Sequence, residues 1–328
     1  MTPSANPNPD GVSVILPVLN EESYLERTVG AILSQDYLGL IEVILALGPS
    51  RDQTQAIAER LSLADSRIVL IASPTGRTAA GLNLAIETAR FEIIVRVDGH
   101  AEIPRDYISI AVSLLQKTGA VNVGGVMAAV GVTPFEKAVA RAMRSPLGVG
   151  ASRFHTGGAA GSVDTVYLGV FQRSALIAIG GFDERFTRAQ DWELNFRLRS
   201  AGGTVYFDPR LQVTYRPRPT LLALSKQYFE YGRWRRVVSR RHQGTVNLRY
   251  LAPPFAVIGT VLSLIFGFLI ANLYFIPAGI YLFFLVAAGL LIGKSARERS
   301  RLPLILLTMH MSWGAGFITS RRSLVPSS

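Results

Sequence analysis

Three groups of residues in this chain carry side chains suited to bond-making chemistry. Asp98-Gly99-His100 directly follows the β-branched run Ile93-Ile-Val-Arg-Val97. In an open α/β sheet, ligands collect at the carboxyl ends of strands, so an acid and an imidazole two residues apart there can reach one metal ion or one ribose together. The plainer alternative is a turn Asp beside a solvated His. Gln190-Asp-Trp-Glu193 opens a helical pattern. Asp191 is there either an N-cap or first-turn acid, or a base facing the same crevice as Asp98. Gln227-Tyr-Phe-Glu-Tyr-Gly-Arg-Trp-Arg-Arg236 mixes aromatics with arginines. That suits an interfacial helix with Trp and Tyr at headgroup level, or contact with an acceptor or a pyrophosphate. Base stacking on those aromatics is set aside, because apolar segments long enough for a membrane lie just downstream.

The elements that must position these residues follow from periodicity. Runs at 12–17, 41–46, 68–71 and 92–97 read as strands. Helical patterns lie between them, one from Leu25 through Val29, Ile32 and Leu33, one at 54–63 and one at 78–89. Strands alternating with helices imply parallel βαβ units and a doubly wound, nucleotide-friendly sheet. From Gly119 to Gly161 the pattern weakens and glycine becomes frequent, as in Gly148-Val-Gly-Ala-Ser-Arg-Phe-His-Thr-Gly-Gly158. This stretch is either a mobile lid or a surface loop. Order returns with Val166-Tyr-Leu-Gly-Val-Phe171, the turn Gly180-Gly-Phe-Asp183 and a helix over 192–200.

Composition narrows the class. The 328 residues include no Cys, which excludes disulfides, thiolate metal sites and a Cys nucleophile, and 49% are hydrophobic, which excludes a disordered chain. The net charge of +11 is unevenly placed. Residues 1–209 hold 18 Lys and Arg against 21 Asp and Glu, so they offer no nucleic-acid footprint. Residues 210–249 hold 10 against 1, and residues 250–328 hold 6 against 1. A basic belt followed by an apolar tail fits docking on an anionic membrane. The tail has apolar segments at 253–272, 277–292 and 302–318. The first two, flanked by the belt and by Lys294, Arg297, Arg299 and Arg301, form a hairpin with both ends cytosolic. The third would export Arg321 and Arg322 if it crossed, so a re-entrant or interfacial helix is expected there, with three full spans as the alternative. The expected domains are a flexible leader at 1–11, a catalytic domain at 12–209, a basic aromatic interfacial segment at 210–250 and a membrane region at 251–328.

The ordered set of motifs resembles the family 2 inverting glycosyltransferases of the GT-A fold, in particular the membrane-attached bacterial enzymes of succinoglycan-type exopolysaccharide synthesis. The matching stretches are Val14-Ile-Leu-Pro-Val-Leu-Asn-Glu-Glu22, Asn83-Leu-Ala-Ile86 before the Asp98 turn, Val163-Asp-Thr-Val-Tyr-Leu-Gly169, Gly180-Gly-Phe-Asp-Glu184, Gln190-Asp-Trp-Glu-Leu-Asn-Phe-Arg-Leu-Arg199 and Tyr231-Gly-Arg-Trp234. The resemblance implies a GT-A nucleotide-sugar-binding α/β fold, a Rossmann-like mixed sheet, followed by membrane helices. It implies that Pro17, Asn20, Glu21, Arg77, Asn83 and Asp98 meet the nucleotide-sugar. Asp98 and His100 would hold a divalent metal, with His100 favouring Mn²⁺ over Mg²⁺. Asp191 would be the general base, with Gln190, Trp192, Arg233 and Trp234 on the acceptor or pyrophosphate side.

What the resemblance implies about function is a single-sugar transfer at the cytosolic face of the inner membrane, to a lipid-linked or cell-envelope glycan acceptor. A UDP-sugar is the donor expected first. Leu47 stands where the family usually places an acid for the uracil imide, and a leucine cannot accept that N–H; Asp52 follows further along. Alternatives are a polyprenyl-phosphate sugar synthase and a non-catalytic membrane scaffold.

Overall fold

A computed structural model describes residues 11–246 and 248–325. The leader expected at 1–11 lies outside them except for Gly11, which opens β1 (Gly11–Val18). Three further strands, β2 (Leu40–Leu47), β3 (Ile68–Ala72) and β4 (Ile93–Arg96), alternate with α1 (Leu25–Leu33), α2 (Thr54–Ala64) and α3 (Thr78–Thr88). These strands read as near-continuous apolar runs because both faces of the parallel sheet are covered. Alternate residues serve opposite faces, with Val12, Val14 and Leu16 in one core cluster and Ile15, Ile44 and Ile94 in the other. β1 pairs in parallel with both β2 and β4, which places the ends of these strands and the loops beyond them along one edge.

After α4 (Tyr107–Thr118) come β5 (Asn122–Ala129), the short β6 (Gly161–Ser162), β7 (Tyr167–Gln172) and β8 (Val205–Tyr215). The full order is β3-β2-β1-β4-β7-β5-β8-β6, with β7 antiparallel to β4. The result is the expected α/β class with a mixed sheet. α8 (Arg173–Ala178) and α9 (Gln190–Ser200) follow β7.

Two compact units emerge. The first runs to Met127 and resumes over Gly157–Thr214; the second takes Ala128–Thr156 and everything from Tyr215 onward. Residues 128–156, where the sequence pattern faded, hold α5 (Pro134–Met143) and two single-turn helices, α6 (Pro146–Val149) and α7 (Arg153–Thr156). α5 starts at a capping box, in which Thr133 and Glu136 satisfy each other's backbone N–H groups and Pro134 occupies the first turn.

The rest of the second unit is helical: α10 (Leu221–Arg241), α11 (Leu248–Leu269), a 3₁₀ turn at Asn272–Phe275, α12 (Ile276–Ile292) and α13 (Ala296–Thr319). Three stretches, Tyr250–Leu269, Asn272–Ile292 and Ala296–Thr319, are long and apolar enough to cross a membrane. The third differs from the others, with 39% of its apolar window buried against 17% for each of the first two. α11 and α12 present bare apolar side chains such as Phe268 and Leu291, whereas α13 is sheathed by α5, α10, α11 and α12. α10 and α13 touch backbone to backbone. A Cβ on Gly232 would collide with the Trp313 carbonyl, and one on Gly316 with the Phe229 carbonyl.

Candidate active site

The loops after β1 and β2 are laced together. Asn20, at φ +56, donates its backbone N–H to Ser50 Oγ at 3.0 Å and accepts from Arg51 N at 2.8 Å through Oδ1. Glu21 N donates to Thr54 Oγ1 at 2.7 Å. Asp52 accepts from the Thr54 hydroxyl and backbone through Oδ1, and from Glu22 N through Oδ2. The Thr54 hydroxyl is the first cause that holds the Asp52 carboxyl below its ordinary value. Both oxygens of Asp52 are thus committed to the loops, and Leu47 ends β2 without a polar group in the acid's place. Pro17 sits half-buried in β1, in register with Ala46.

Beyond β4 the chain turns sharply at Asp98, whose carbonyl accepts from Ala101 N at 2.9 Å. His100 Nδ1 lies 2.8 Å from Glu21 Oε1. A carboxylate accepts, so His100 donates through Nδ1 to Glu21. Gly99 makes this approach feasible, since a Cβ there would stand 2.8 Å from Glu21 Cγ. His100 is 49% exposed and is bonded to Glu21 as well. Glu21 orients the ring, as carboxylates orient metal-binding histidines.

Arg96 closes the site. It ends β4, its side chain is 3% exposed, and its Nε and Nη2 donate to Asp98 Oδ1 at 3.2 and 3.0 Å. Its Nη1 donates to Asp191 Oδ1. A single guanidinium therefore joins the acid after β4 to the acid of α9. The N-cap of α9 is Ala189, at φ +59 and without a side-chain cap, so the N-cap reading of Asp191 does not hold. Asp191 is instead a first-turn acid 29% exposed, tied to the same arginine as Asp98.

The other expected contacts are placed as follows. Arg77 is exposed at the start of α3, and among the described residues its guanidinium has no hydrogen-bond partner. The Asn83 side chain is committed to the turn before Asp183, accepting from Phe182 N at 2.8 Å and donating to Phe182 O at 2.9 Å. Gln190 is half-buried beside Asp191, and Trp192 stacks on Phe196. Arg233 and Trp234 belong to the second unit, where Arg233 pairs with Glu230 at 2.6 Å and Trp234 is 4% exposed.

Two groups escaped the sequence reading. Arg96 lay inside an apolar run, and a charge at that point in a buried strand was the available signal. The partnership of Glu21 with His100 left no signal in spacing, because the two are 79 residues apart.

Among the described residues no cluster of three or more His, Cys, Asp or Glu side chains converges. Asp98 and His100 are two candidate ligand side chains on one turn. That set fits a divalent ion whose remaining ligands come from substrate phosphates and water.

Residues 13–180, just over half of the chain, match the family described as Glycosyl transferase family 2. The chain belongs to that family. This family 2 protein is 30% identical over 311 residues to the succinoglycan biosynthesis protein ExoA of Rhizobium meliloti (strain 1021), covering 93% of each chain. The dolichyl N-acetyl-alpha-D-glucosaminyl phosphate 3-beta-D-2,3-diacetamido-2,3-dideoxy-beta-D-glucuronosyltransferase of Methanococcus voltae is 23% identical over 325 residues, covering 93% of this chain and 95% of that one. Among solved structures, the mannosyltransferase PcManGT from Pyrobaculum calidifontis, in complex with GDP-Man and Mn²⁺, superposes with a TM-score of 0.64 at 19% identity, covering 93% of this chain and 87% of the other. These likenesses make the family 2 chain a glycosyltransferase with a GT-A-type mixed sheet.

Proposed function

We propose that this family 2 enzyme transfers one sugar, with inversion, from a nucleotide-sugar to a lipid-linked or cell-envelope glycan acceptor at the cytosolic face of the inner membrane. The observation that carries this reading is the Arg96 bridge, which sets Asp98 and Asp191 at one site beside the loops after β1 and β2. The solved relatives that hold GDP-Man or UDP-GlcNAc support a nucleotide-sugar donor. A UDP-sugar remains the first donor to test, although neither Leu47 nor the committed Asp52 offers the uracil imide a carboxylate.

Asp191 acts through Oδ2, since Oδ1 is held by Arg96. It takes the proton of the acceptor hydroxyl as that oxygen bonds to the anomeric carbon. The bond from that carbon to the diphosphate breaks in the same step, and its electron pair leaves with the diphosphate. A divalent ion held by Asp98 and His100, Mn²⁺ ahead of Mg²⁺ because imidazole is the softer donor, would supply charge neutralisation for the leaving group. Glu21 keeps the His100 ring oriented, and the exposed Arg77 is offered to the nucleotide. Pro17 and Asn20 shape the turn on which the nucleotide rests. Gln190 and Trp192 flank the base on the acceptor side. Arg233, tied to Glu230, and Trp234, buried in the second unit, have no part in this reading.

The test is Asp191→Asn in the full chain, assayed with a panel of nucleotide-sugars and Mn²⁺. Transfer should fall at least about 1,000-fold while nucleotide binding by calorimetry stays within about threefold. Wild-type turnover in that variant would remove Asp191 as base. No transfer by the wild type with any donor would remove the proposed donor and acceptor classes.

A further inference from the structure

Arg96 is buried between two acids for which the proposed reaction has different uses. Its planar fork is divided. One edge, Nε and Nη2, takes Asp98 Oδ1, and the remaining nitrogen, Nη1, takes Asp191 Oδ1. The guanidinium carbon lies 5.7 Å from the Phe182 ring centre, so an aromatic face backs the charge. The backbone of Arg96 is paired with Ile15 in the parallel sheet, which anchors the fork in a central strand. Asp191, by contrast, stands in the first turn of a helix that starts from a left-handed, non-glycine residue.

We infer that Arg96 is a positioning residue for glycosyl transfer, fixing the spacing of Asp98 and Asp191 and leaving each acid its Oδ2 as the working oxygen. The inference rests on the roles proposed above for those two acids. Its physical basis is directional. A base must meet the acceptor hydroxyl while the donor is held through Asp98, so the distance between the acids decides whether the hydroxyl lines up with the anomeric carbon. Misplacement by about 1 Å costs on the order of 100-fold in rate. Lysine would keep the charge but not the span, because a single ammonium cannot offer two edges to two carboxylates in a fixed geometry. A buried arginine that only balanced charge would make a different prediction. Its loss would lower stability and the active fraction, with kcat per folded molecule unchanged.

The experiment compares wild type, Arg96→Lys, Arg96→Gly and Asp191→Asn as full chains in detergent, reading Tm, donor KM, kcat per folded molecule and rescue by added guanidinium. Arg96→Lys should lose about 100-fold in kcat with donor KM within about threefold of wild type. Guanidinium should raise kcat of Arg96→Gly about tenfold or more and leave Asp191→Asn unchanged. Wild-type kcat in Arg96→Lys, or a rescue confined to Tm, would overturn the inference. If Arg96→Gly does not fold, Arg96→Lys decides alone. An active Asp191→Asn would overturn the base assignment instead, whereas an inactive one beside a fully active Arg96→Lys would overturn only the positioning role.

Discussion

Asp52, the acid that follows Leu47 further along the chain, is a fastener in the structure. Its carboxylate accepts from Thr54 and Glu22 and thereby ties the loop after β1 to the loop before α2. Its folded-state value lies below the 3.8 of a free Asp, so the ionised form favours the fold above that pH. That contribution disappears as pH falls through the folded value. Asp52→Asn should lower Tm near neutral pH, and the gap to wild type should shrink as pH falls through the folded value of Asp52. An equal gap at both pH values would assign the effect to shape and not to charge. Asp98, His100 and Asp191 stand out as candidates in the sequence because they lie at a strand end or a helix start, and the structure ties Asp98 and Asp191 to one arginine. Arg96 does not stand out in this way, since periodicity reports which face a residue occupies and not which distant acid it meets.

At the scale of elements, the four parallel strands and their helices were legible from alternating periods, and each lies within a few residues of its expected place. α5 was missed although Thr133-Pro-Phe-Glu136 is a capping signal. The glycines of α10 and α13 have a packing reason that no single-helix pattern could reveal. Gly232 and Gly316 each face a backbone carbonyl of the opposite helix, so neither helix can yield by moving a side chain. Gly316→Leu should cost about 3 kcal/mol, at the upper end for overpacking, measured as loss of Tm and greater protease sensitivity of the full chain. A change within about 0.5 kcal/mol would mean that the two helices part easily.

For the whole molecule, the sign and place of charge were legible, but the duty of each arginine was not. Arg235 is 7% exposed, lies over the Tyr250 ring and donates to the Thr245 carbonyl, which removes it from any lipid-facing set. Arg236, Arg240, Arg241, Arg321 and Arg322 remain, and burial, followed by the nearby charges of Arg236 and Arg322, lowers the Arg240 value. The sequence leads to the expectation that α11 and α12 cross the membrane and α13 does not. The support is that α10 covers the end of α13, with Arg240 donating to Ser320 O at 2.9 Å and Arg236 over Phe317. The chain has no cysteine, so single replacements report sidedness cleanly. Asn272→Cys should be labelled only from outside the cytosol, and Ser295→Cys and Ser323→Cys only from within it. Labelling of Ser323→Cys from outside would show that α13 crosses. The sheathing of α13 also bears on the order of synthesis. α5 and α6 leave the ribosome about 150 residues ahead of the helix that covers them, with Arg141 waiting for Glu298 and Leu147 for His310. A chain truncated after α10 to obtain a soluble enzyme would lose more than its anchor. It would strand α5 and α6 without their cover, and such fragments would be prone to aggregate even though every residue proposed for catalysis is present.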